Sequence, residues 1–375
     1  MIIAVNTRLL LAGKLEGIGY FSYEVLKRIT TAHPEHTFYF FFDRPFDPAF
    51  IFSENVIPLV LQPPARHPLL WYLWFEISVY RTLKKIKAEV FFSPEGYLSL
   101  RSKVPTLMVL HDLAYLHHPE NMQNAHLNYF RKYVPRFINR AEKIVTVSQF
   151  VKQDILSKFP AVSPEKISVC YNAARAGFLP MNATEKQNLQ NEYTQGAPYF
   201  IYVGAIHPRK NIHRLIAAFD DFKNKSGTQH KLLLVGRMAW KTDDVTVAYN
   251  TAHFKKDIIF TGYVPENDLR ALVGAAFCMV YVSIFEGFGM PIIEAMQCGV
   301  PVITSDTTAL PEIAGDAALC VDPYDTEKIS GAMGLLVKNE NVRLSLIERG
   351  KRRASDFSWE KTADIIYETF LSLKV

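Results

Sequence analysis

The sequence predicts an α/β fold with two domains, each built around a parallel β-sheet. The chain has 375 residues, which exceeds the usual size of one domain. Apolar runs of strand length alternate with helical patterns along its whole length, as expected when helices connect parallel strands. A polar, Asn- and Gln-rich stretch interrupts this alternation once. We therefore predict a first domain at 1–172, a linker at 173–197, a second domain at 198–357 and a closing helix at 358–375.

The amino-acid composition restricts the functional classes to which this protein can belong. Hydrophobic residues make up 49% of the chain and the mean hydropathy is +0.02, which is typical of a globular protein. The net charge of +5 is spread along the sequence, so nucleic acid is not an expected partner. The four cysteines form no C-x-x-C pair, which favours thiols in a reducing compartment. No apolar run reaches the roughly 20 residues of a membrane-spanning helix, and we expect a cytoplasmic protein.

The first domain opens with strand 2–6 and a glycine-bearing loop. Gly17 and Gly19, followed by an acid at Asp43, are similar to a dinucleotide-binding fingerprint, but Ser22 stands where a third glycine is expected. These residues alone leave two interpretations open, a flexible turn and a functional loop. The fingerprint is also the only feature that would favour an NAD(P)-dependent oxidoreductase.

Two further features of the first domain have alternative interpretations. Residues 68–87 are rich in Trp and Tyr and have a basic end, so they could form a helix at a membrane interface. They lack a clean polar face, which favours a helix packed in the core. His111 and Asp112 end the apolar run 104–111, where a histidine is more often structural and an aspartate can cap a turn.

The second domain places charged residues after two of its predicted strands. Arg209 and Lys210 follow strand 199–204, and Glu286 follows strand 277–283. The carboxyl ends of parallel strands share one edge of the sheet, so both cations can face one anion there. A Gly-Phe-Gly-Met-Pro turn comes next and opens a helix, which places Glu294 in its first turn.

These motifs resemble a known family. EGFGMPIIEAMQCGVPVITSD (286–306) and LPEIAGDAALCVDP (310–323) are similar to the donor-binding signature of the retaining family 4 (GT4) glycosyltransferases. The loop at 204–211, GAIHPRKN, resembles the family's G-x-x-x-P-R-K-N motif. The resemblance implies the GT-B fold, in which two Rossmann-like domains face each other across a cleft and the terminal helix returns to the first domain.

The resemblance also implies roles for individual residues. Arg209 and Lys210 would bind the donor diphosphate, Glu286 the hydroxyls of the donor sugar, and Glu294 the ribose diol. His111 would face the sugar from the first domain. Further residues are expected around the diphosphate and the nucleobase: Gly17, Gly19, Tyr263, Val264, Gly287, Phe288, Gly289, Met290, Thr308 and Leu310.

The function expected from this resemblance is transfer of a hexose, with mannose favoured, in polysaccharide or lipopolysaccharide assembly. The donor would be a GDP- or UDP-sugar, and the acceptor a glycan or a lipid-linked sugar reached by peripheral contact with a membrane. No D-x-D motif occurs, so neither a metal nor another cofactor is expected. Front-face attack and a covalent intermediate on Glu286 both remain open. Alternatives are an enzyme like sucrose- or trehalose-phosphate synthase, an NAD(P) oxidoreductase and a noncatalytic sugar-nucleotide-binding protein.

Overall fold

A computed structural model describes residues 1–239 and 242–373 of the chain. The chain divides into two compact units. The first contains Met1–Asn172 together with the segment that begins at Ser358, and the second contains Ala173–Phe357.

The first unit is built on a seven-stranded sheet in which all neighbouring strands pair in parallel, in the order β3-β2-β1-β4-β5-β6-β7. Strands β4 and β5 are buried along their whole length and are mostly apolar, as is typical of the central strands of a parallel sheet. The strands are β1 (Ile2–Asn6), β2 (Thr37–Phe42), β3 (Val56–Val60), β4 (Val90–Ser93), β5 (Thr106–Leu110), β6 (Lys143–Thr146) and β7 (Ile167–Val169).

Helices connect these strands, and the C-terminal helix packs on the first one. Ser148 caps its helix as its position suggests, because its Oγ accepts a hydrogen bond from the Val151 N–H at 3.2 Å. Arg28 on α1 donates to Glu360 on α15 at 2.8 Å. The helices of this unit are α1 (Gly17–Ala32), α2 (Pro68–Leu73), α3 (Tyr80–Ile86), α4 (Ala114–His117), α5 (Asn124–Arg140), α6 (Gln149–Lys158) and α15 (Trp359–Ser372).

The aromatic segment around α2 is a helix that buries one face in the core. Helix α2 continues through a π-helical turn, Trp74–Val79, into α3. Trp71 and Trp74 are buried, and Trp71 donates from its indole N–H to the Ala65 carbonyl at 2.8 Å. The prediction of core packing is therefore confirmed, although Leu69 and Tyr72 on the same helix are exposed.

The second unit has a six-stranded sheet in the order β10-β9-β8-β11-β12-β13, again with parallel pairing throughout. Its strands are β8 (Tyr199–Val203), β9 (Lys231–Val235), β10 (Ile258–Gly262), β11 (Cys278–Tyr281), β12 (Val302–Ser305) and β13 (Ala318–Val321). Its helices are α7 (Ala183–Thr194), α8 (Ile212–Ser226), α9 (Asp243–Thr251), α10 (Glu266–Ala275), α11 (Met290–Gln297), α12 (Leu310–Ala314), α13 (Thr326–Lys338) and α14 (Glu340–Ala354). Short 3₁₀ turns lie at Pro48–Phe50, Pro119–Asn121 and Pro164–Lys166 in the first unit, and at Pro208–Lys210 and Lys255–Asp257 in the second. Two parallel sheets flanked by helices confirm the predicted α/β class.

The segment 173–197 was expected to be a linker, but it is part of a folded unit. It belongs to the second unit and carries helix α7, which packs against α10. A capping box starts the helix: the Asn182 side chain accepts from the Glu185 N–H at 2.9 Å, and Glu185 accepts from the Asn182 N–H at 3.1 Å. The polar composition that suggested a linker therefore reflects the solvated face of a surface helix.

Within the described residues, no helix has both the length and the apolar character needed to cross a membrane.

Candidate active site

The charged residues predicted in the second domain meet where its strand order reverses. Strands β8 and β11 are neighbours in the sheet, and the chain leaves their carboxyl ends toward opposite edges. Such switch points create a crevice in which open α/β sheets bind ligands. The 3₁₀ turn Pro208–Lys210 follows β8, and the Ile284 N–H donates to the Arg209 carbonyl at 2.9 Å, which ties this turn to the loop after β11.

Glu286 is the centre of this cluster. One of its carboxylate oxygens accepts from Arg209 Nη1 at 2.8 Å and the other from Lys210 Nζ at 2.5 Å. The exposed fractions of the three side chains are 10% for Glu286, 25% for Arg209 and 14% for Lys210. One carboxylate thus holds two cations together at the edge of the sheet, in a position that solvent still reaches.

Burial alone would raise the pKa of the Glu286 carboxyl group. The nearby charges of Arg209 and Lys210 outweigh burial and hold this pKa at about 2. Glu286 is therefore ionised at neutral pH.

Tyr281 completes the cluster, and the sequence analysis did not single it out. Its hydroxyl donates to Glu286 at 3.0 Å and accepts from Lys210 Nζ at 2.7 Å. Its ring stacks on Tyr202 with the centroids 5.9 Å apart, and the Tyr202 hydroxyl donates instead to the Ala205 carbonyl at 3.2 Å. Tyr281 is the last residue of β11 in an all-apolar run, so the sequence offered only a core interpretation for it.

Asn211, the last residue of the P-R-K-N motif, holds the loops together. It is buried and has a left-handed backbone with φ of 63°. Its amide donates to the Val282 carbonyl at 3.0 Å and to the Pro323 carbonyl at 2.6 Å. The conformation and the two bonds suit Asn, which tolerates this backbone region better than most residues.

Glu294 lies deeper than expected. Helix α11 begins at Met290, so Pro291 is its second residue and Glu294 lies beyond the first turn. Arg175 donates to both carboxylate oxygens, at 2.6 and 2.9 Å, and the Glu294 side chain is 1% exposed. The sequence analysis missed Arg175, because no motif marks it in the polar segment before α7. Binding of a ribose diol by Glu294 stays a prediction.

The turn before α11 needs a glycine at position 289 for two reasons. Gly289 has φ of +109°, and a Cβ added to it would lie 2.7 Å from Leu310 Cδ2. Gly287 and Phe288 are buried beside it. Thr308 faces the start of this turn and accepts from the Glu286 N–H at 3.3 Å. The predicted phosphate-binding residues therefore lie around one turn, and their ligand contacts stay predictions.

Tyr263 and Val264 follow β10, two strands away from β8. Tyr263 is exposed and Val264 is half-buried. Adjacent strands are about 4.8 Å apart, so this edge lies roughly 10 Å from the turn that carries Arg209 and Lys210. That separation suits the distance between a nucleobase and its diphosphate, and the assignment stays a prediction.

In the first unit, His111 follows β5 and contacts backbone. Its Nε2 donates to the Pro94 carbonyl at 2.8 Å, and burial lowers the pKa of the imidazole. A neutral ring that donates from Nε2 leaves Nδ1 as an acceptor. Asp112 caps the next turn, since its Oδ1 accepts from the Ala114 N–H at 2.9 Å.

Gly17 and Gly19 do not lie in a loop as expected, because helix α1 already begins at Gly17. A Cβ on Gly19 would lie 2.9 Å from the Leu9 carbonyl oxygen, so this glycine is needed for close packing. Within residues 1–239 and 242–373, no three His, Cys, Asp or Glu side chains are grouped so that they could hold a metal ion.

Comparison with known proteins agrees with this geometry. Residues 183–353 match the family "Glycosyl transferases group 1", and residues 16–175 match "Glycosyltransferase Family 4". The chain is 31% identical over 367 residues to O-antigen chain mannosyltransferase B of Escherichia coli, covering 92% of this chain and 93% of that protein. The chain belongs to the family 4 glycosyltransferases. This glycosyltransferase is an enzyme that transfers hexoses, and family membership excludes the oxidoreductase alternative.

Solved structures agree on the fold. Sucrose-phosphate synthase from Thermosynechococcus elongatus superposes with a TM-score of 0.81 at 19% identity, over 99% of this chain and 98% of that one. The Anabaena protein HepE in complex with UDP and glucose gives a TM-score of 0.77 at 17% identity, over 99% of this chain and 100% of that one. At these identities the likeness shows the fold alone, and it confirms the GT-B prediction.

Proposed function

We propose that this glycosyltransferase moves mannose from a nucleoside-diphosphate sugar to a growing polysaccharide, with retention of configuration. The observation that carries the proposal is the joint contact of Arg209 and Lys210 with Glu286 at the switch point of the second sheet. The name of the Escherichia coli relative, an O-antigen chain mannosyltransferase, supports mannose and an O-antigen-like product. GDP-mannose is the proposed donor.

The chemistry requires stabilisation of the leaving group. When the bond between the sugar C1 and the diphosphate breaks, negative charge grows on the diphosphate and positive charge on the sugar ring. Arg209 and Lys210 are positioned by the turn after β8 and would stabilise the departing diphosphate. Glu286 keeps the two cations in place and is ionised, so its charge also favours the developing positive charge.

The remaining roles concern the sugar and its acceptor. His111 is neutral, so its Nδ1 can accept a hydrogen bond from a sugar hydroxyl. In front-face attack the leaving phosphate takes the proton of the acceptor hydroxyl, and no protein base is needed. The proposed acceptor is a glycan or a lipid-linked sugar, and the enzyme would work in the cytoplasm with peripheral contact to the membrane. A bound metal is not part of this mechanism.

A thermal-shift screen tests the donor assignment. GDP, UDP, GDP-mannose, UDP-glucose and NADH are compared, because a ligand that binds only the folded protein raises its melting temperature. We expect GDP and GDP-mannose to give the largest increases. Stabilisation by NADH alone, or by none of the nucleotides, would contradict the proposal.

A Glu286→Gln variant then tests the site. We expect it to remain folded but to lose nearly all transfer from GDP-mannose, because the neutral amide cannot balance two cations. Glu340→Gln, on the exposed surface of α14 in the same unit, serves as the control and should keep wild-type activity. Near-normal turnover of Glu286→Gln would refute the assigned role.

A further inference from the structure

Arg175 is the one described residue that donates hydrogen bonds to the Glu294 carboxylate. Its Nε donates to Oε1 at 2.6 Å and its Nη2 to Oε2 at 2.9 Å, so the guanidinium meets the carboxylate end-on through two parallel bonds. The Glu294 side chain is 1% exposed. A carboxylate buried this deeply needs a cation beside it, and Arg175 provides that cation.

Arg175 is itself held in place. Its guanidinium carbon lies 5.0 Å from the centroid of the Phe178 ring, and Phe178 is fully buried in the core of the second unit. The Arg175 side chain is 12% exposed. A planar guanidinium that lies over a ring with its face and pairs through its edge has little freedom to turn. The plane of the Glu294 carboxylate is therefore fixed as well.

The position of Glu294 in α11 directs its carboxylate toward the candidate site. Helix α11 begins at Met290, directly after the turn 287–289 that follows Glu286. Side chains on a helix lean toward its N-terminus, so the Glu294 side chain leans back toward this turn. A carboxylate repels phosphate groups and accepts hydrogen bonds from hydroxyl groups. In a nucleoside diphosphate the hydroxyl groups outside the phosphates belong to the ribose.

The end-on pair with Arg175 leaves Glu294 few positions at which to accept another hydrogen bond. An ionised carboxylate has about four lone-pair positions, shared equally by its oxygens. The parallel bonds from Arg175 use the forward position of each oxygen, and the remaining position on each oxygen points sideways, away from the other oxygen. Neighbouring hydroxyls of a ribose lie side by side and cannot reach both sideways positions together. Glu294 can therefore accept from one ribose hydroxyl.

We propose that Arg175 is a positioning residue of the donor site, which limits Glu294 to a hydrogen bond with a single hydroxyl of the donor ribose. The inference refines the ribose diol that the family resemblance implies for Glu294. It rests on the nucleoside-diphosphate donor of the proposed function, but it depends neither on the base nor on the transferred sugar.

Isothermal titration calorimetry with GDP, 2′-deoxy-GDP and 3′-deoxy-GDP tests the inference. We expect one deoxy nucleotide to bind the wild type about 10-fold more weakly than GDP, the usual effect of losing a hydrogen bond to a charged group. The other deoxy nucleotide should bind like GDP. Arg175→Lys keeps the cation but lacks the planar fork. In that variant Glu294 can turn and use both oxygens, so the two deoxy nucleotides should lose affinity equally.

Glu294→Gln shows whether the preference originates at this carboxylate. The neutral amide accepts a hydrogen bond more weakly than a carboxylate, so the 10-fold difference between GDP and the weaker deoxy nucleotide should shrink to about 3-fold or less. An unchanged difference in Glu294→Gln would overturn the inference, because the preference would then arise from another group.

A matched control lies on α14, where Arg343 pairs with Glu340 at 2.9 Å and lies 5.4 Å from the centroid of the Phe277 ring. Arg343→Lys makes the same change in an exposed pair and should leave all three affinities unchanged. Equal dependence of the wild type on both ribose hydroxyls, or a wild-type preference in Arg175→Lys, would overturn the inference and leave the donor assignment intact. Failure of every guanosine nucleotide to bind would instead contradict GDP-mannose as the donor, and the matching uridine nucleotides then give the same comparison.

Discussion

Both sheets carry a cluster of paired charges at the same topological position, but only the cluster in the second unit stays partly open to solvent. In the first unit, Arg8 follows β1 and Glu95 follows β4, and these two strands are neighbours where the strand order reverses. In the second unit, Arg209 and Lys210 follow β8 and Glu286 follows β11. In each case the cation comes from the loop after the first strand and the carboxylate from the loop after the fourth strand.

The two clusters differ in how completely their partners satisfy each other. Arg8 donates twice to Glu95, at 2.9 and 2.6 Å, and once to the Ala65 carbonyl at 2.8 Å. Its guanidinium lies 5.4 Å from the Trp71 ring centroid and 5.0 Å from that of Tyr97. The exposed fractions are 7% and 3% for the two charged side chains. This pair is neutral and closed, whereas the cluster around Glu286 has two cations and remains partly open. Charged side chains therefore occur at the switch points of both sheets, and we expect their number and exposure to decide whether a ligand can bind there.

The largest expected effect is on catalysis. Lys210→Ala should lower kcat for transfer from GDP-mannose by about 10²–10³-fold, the usual cost of removing one electrostatic stabiliser of a transition state. Steady-state kinetics with GDP-mannose measure this effect, and circular dichroism checks that the variant is folded. If the Arg8–Glu95 pair were catalytic as well, Arg8 variants would show the same fall in kcat per folded molecule. That result would contradict the functional difference between the two clusters.

The closed pair should instead control stability. Arg8→Met leaves Glu95 charged and buried, so the free energy of unfolding should fall by about 3–5 kcal/mol. The double variant Arg8→Met/Glu95→Leu should recover most of this loss, because a buried ion pair can often be replaced by apolar groups. Urea denaturation measures both values. A loss below about 1 kcal/mol in the single variant would show that the pair is not effectively buried.

The acid sensitivity of the open cluster gives a third test. The pKa of Glu286 is lowered from 4.5 to about 2 in the folded protein, so its ionisation contributes stability above pH 4.5 that is lost as the pH falls toward 2. We expect Glu286→Gln to be about 3 kcal/mol less stable than wild type at neutral pH. This difference should shrink steadily in denaturation curves recorded between those two pH values. A difference that is independent of pH would exclude the assigned charge interactions.

The smallest effect should come from Tyr281, which touches the cluster only through its hydroxyl. Tyr281→Phe keeps the ring and should lower kcat about 10-fold, since hydrogen bonds to charged groups contribute about 1.5 kcal/mol. KM for the donor should change little, and the melting temperature should fall by a few degrees in both Tyr281→Phe and its control. Tyr202→Phe is the matched control, because its hydroxyl bonds to backbone rather than to the cluster. Equal losses in the two variants would indicate a packing effect instead.

Sequence patterns alone predicted the part of the second unit that carries the candidate site. Local features are encoded by residues close together in the chain. Three such features carry the site: the strand before Glu286, the turn with Arg209 and Lys210, and the glycine-bearing start of α11. The resemblance to GT4 enzymes rested on the same contiguous stretches. The alternation of strands and helices was sufficient for the fold class.

The sequence did not reveal what depends on contacts between distant residues. Tyr281 looked like one more apolar strand residue, Arg175 pairs with Glu294 across 119 positions, and Arg8 pairs with Glu95 across 87. Helix α7 was not predicted because surface helices and linkers share a polar composition. The sequence therefore determined where charged side chains leave the strands. Only the tertiary structure decided which of them are paired, how deeply they are buried and which pair stays open, since burial and pairing depend on groups brought together by folding.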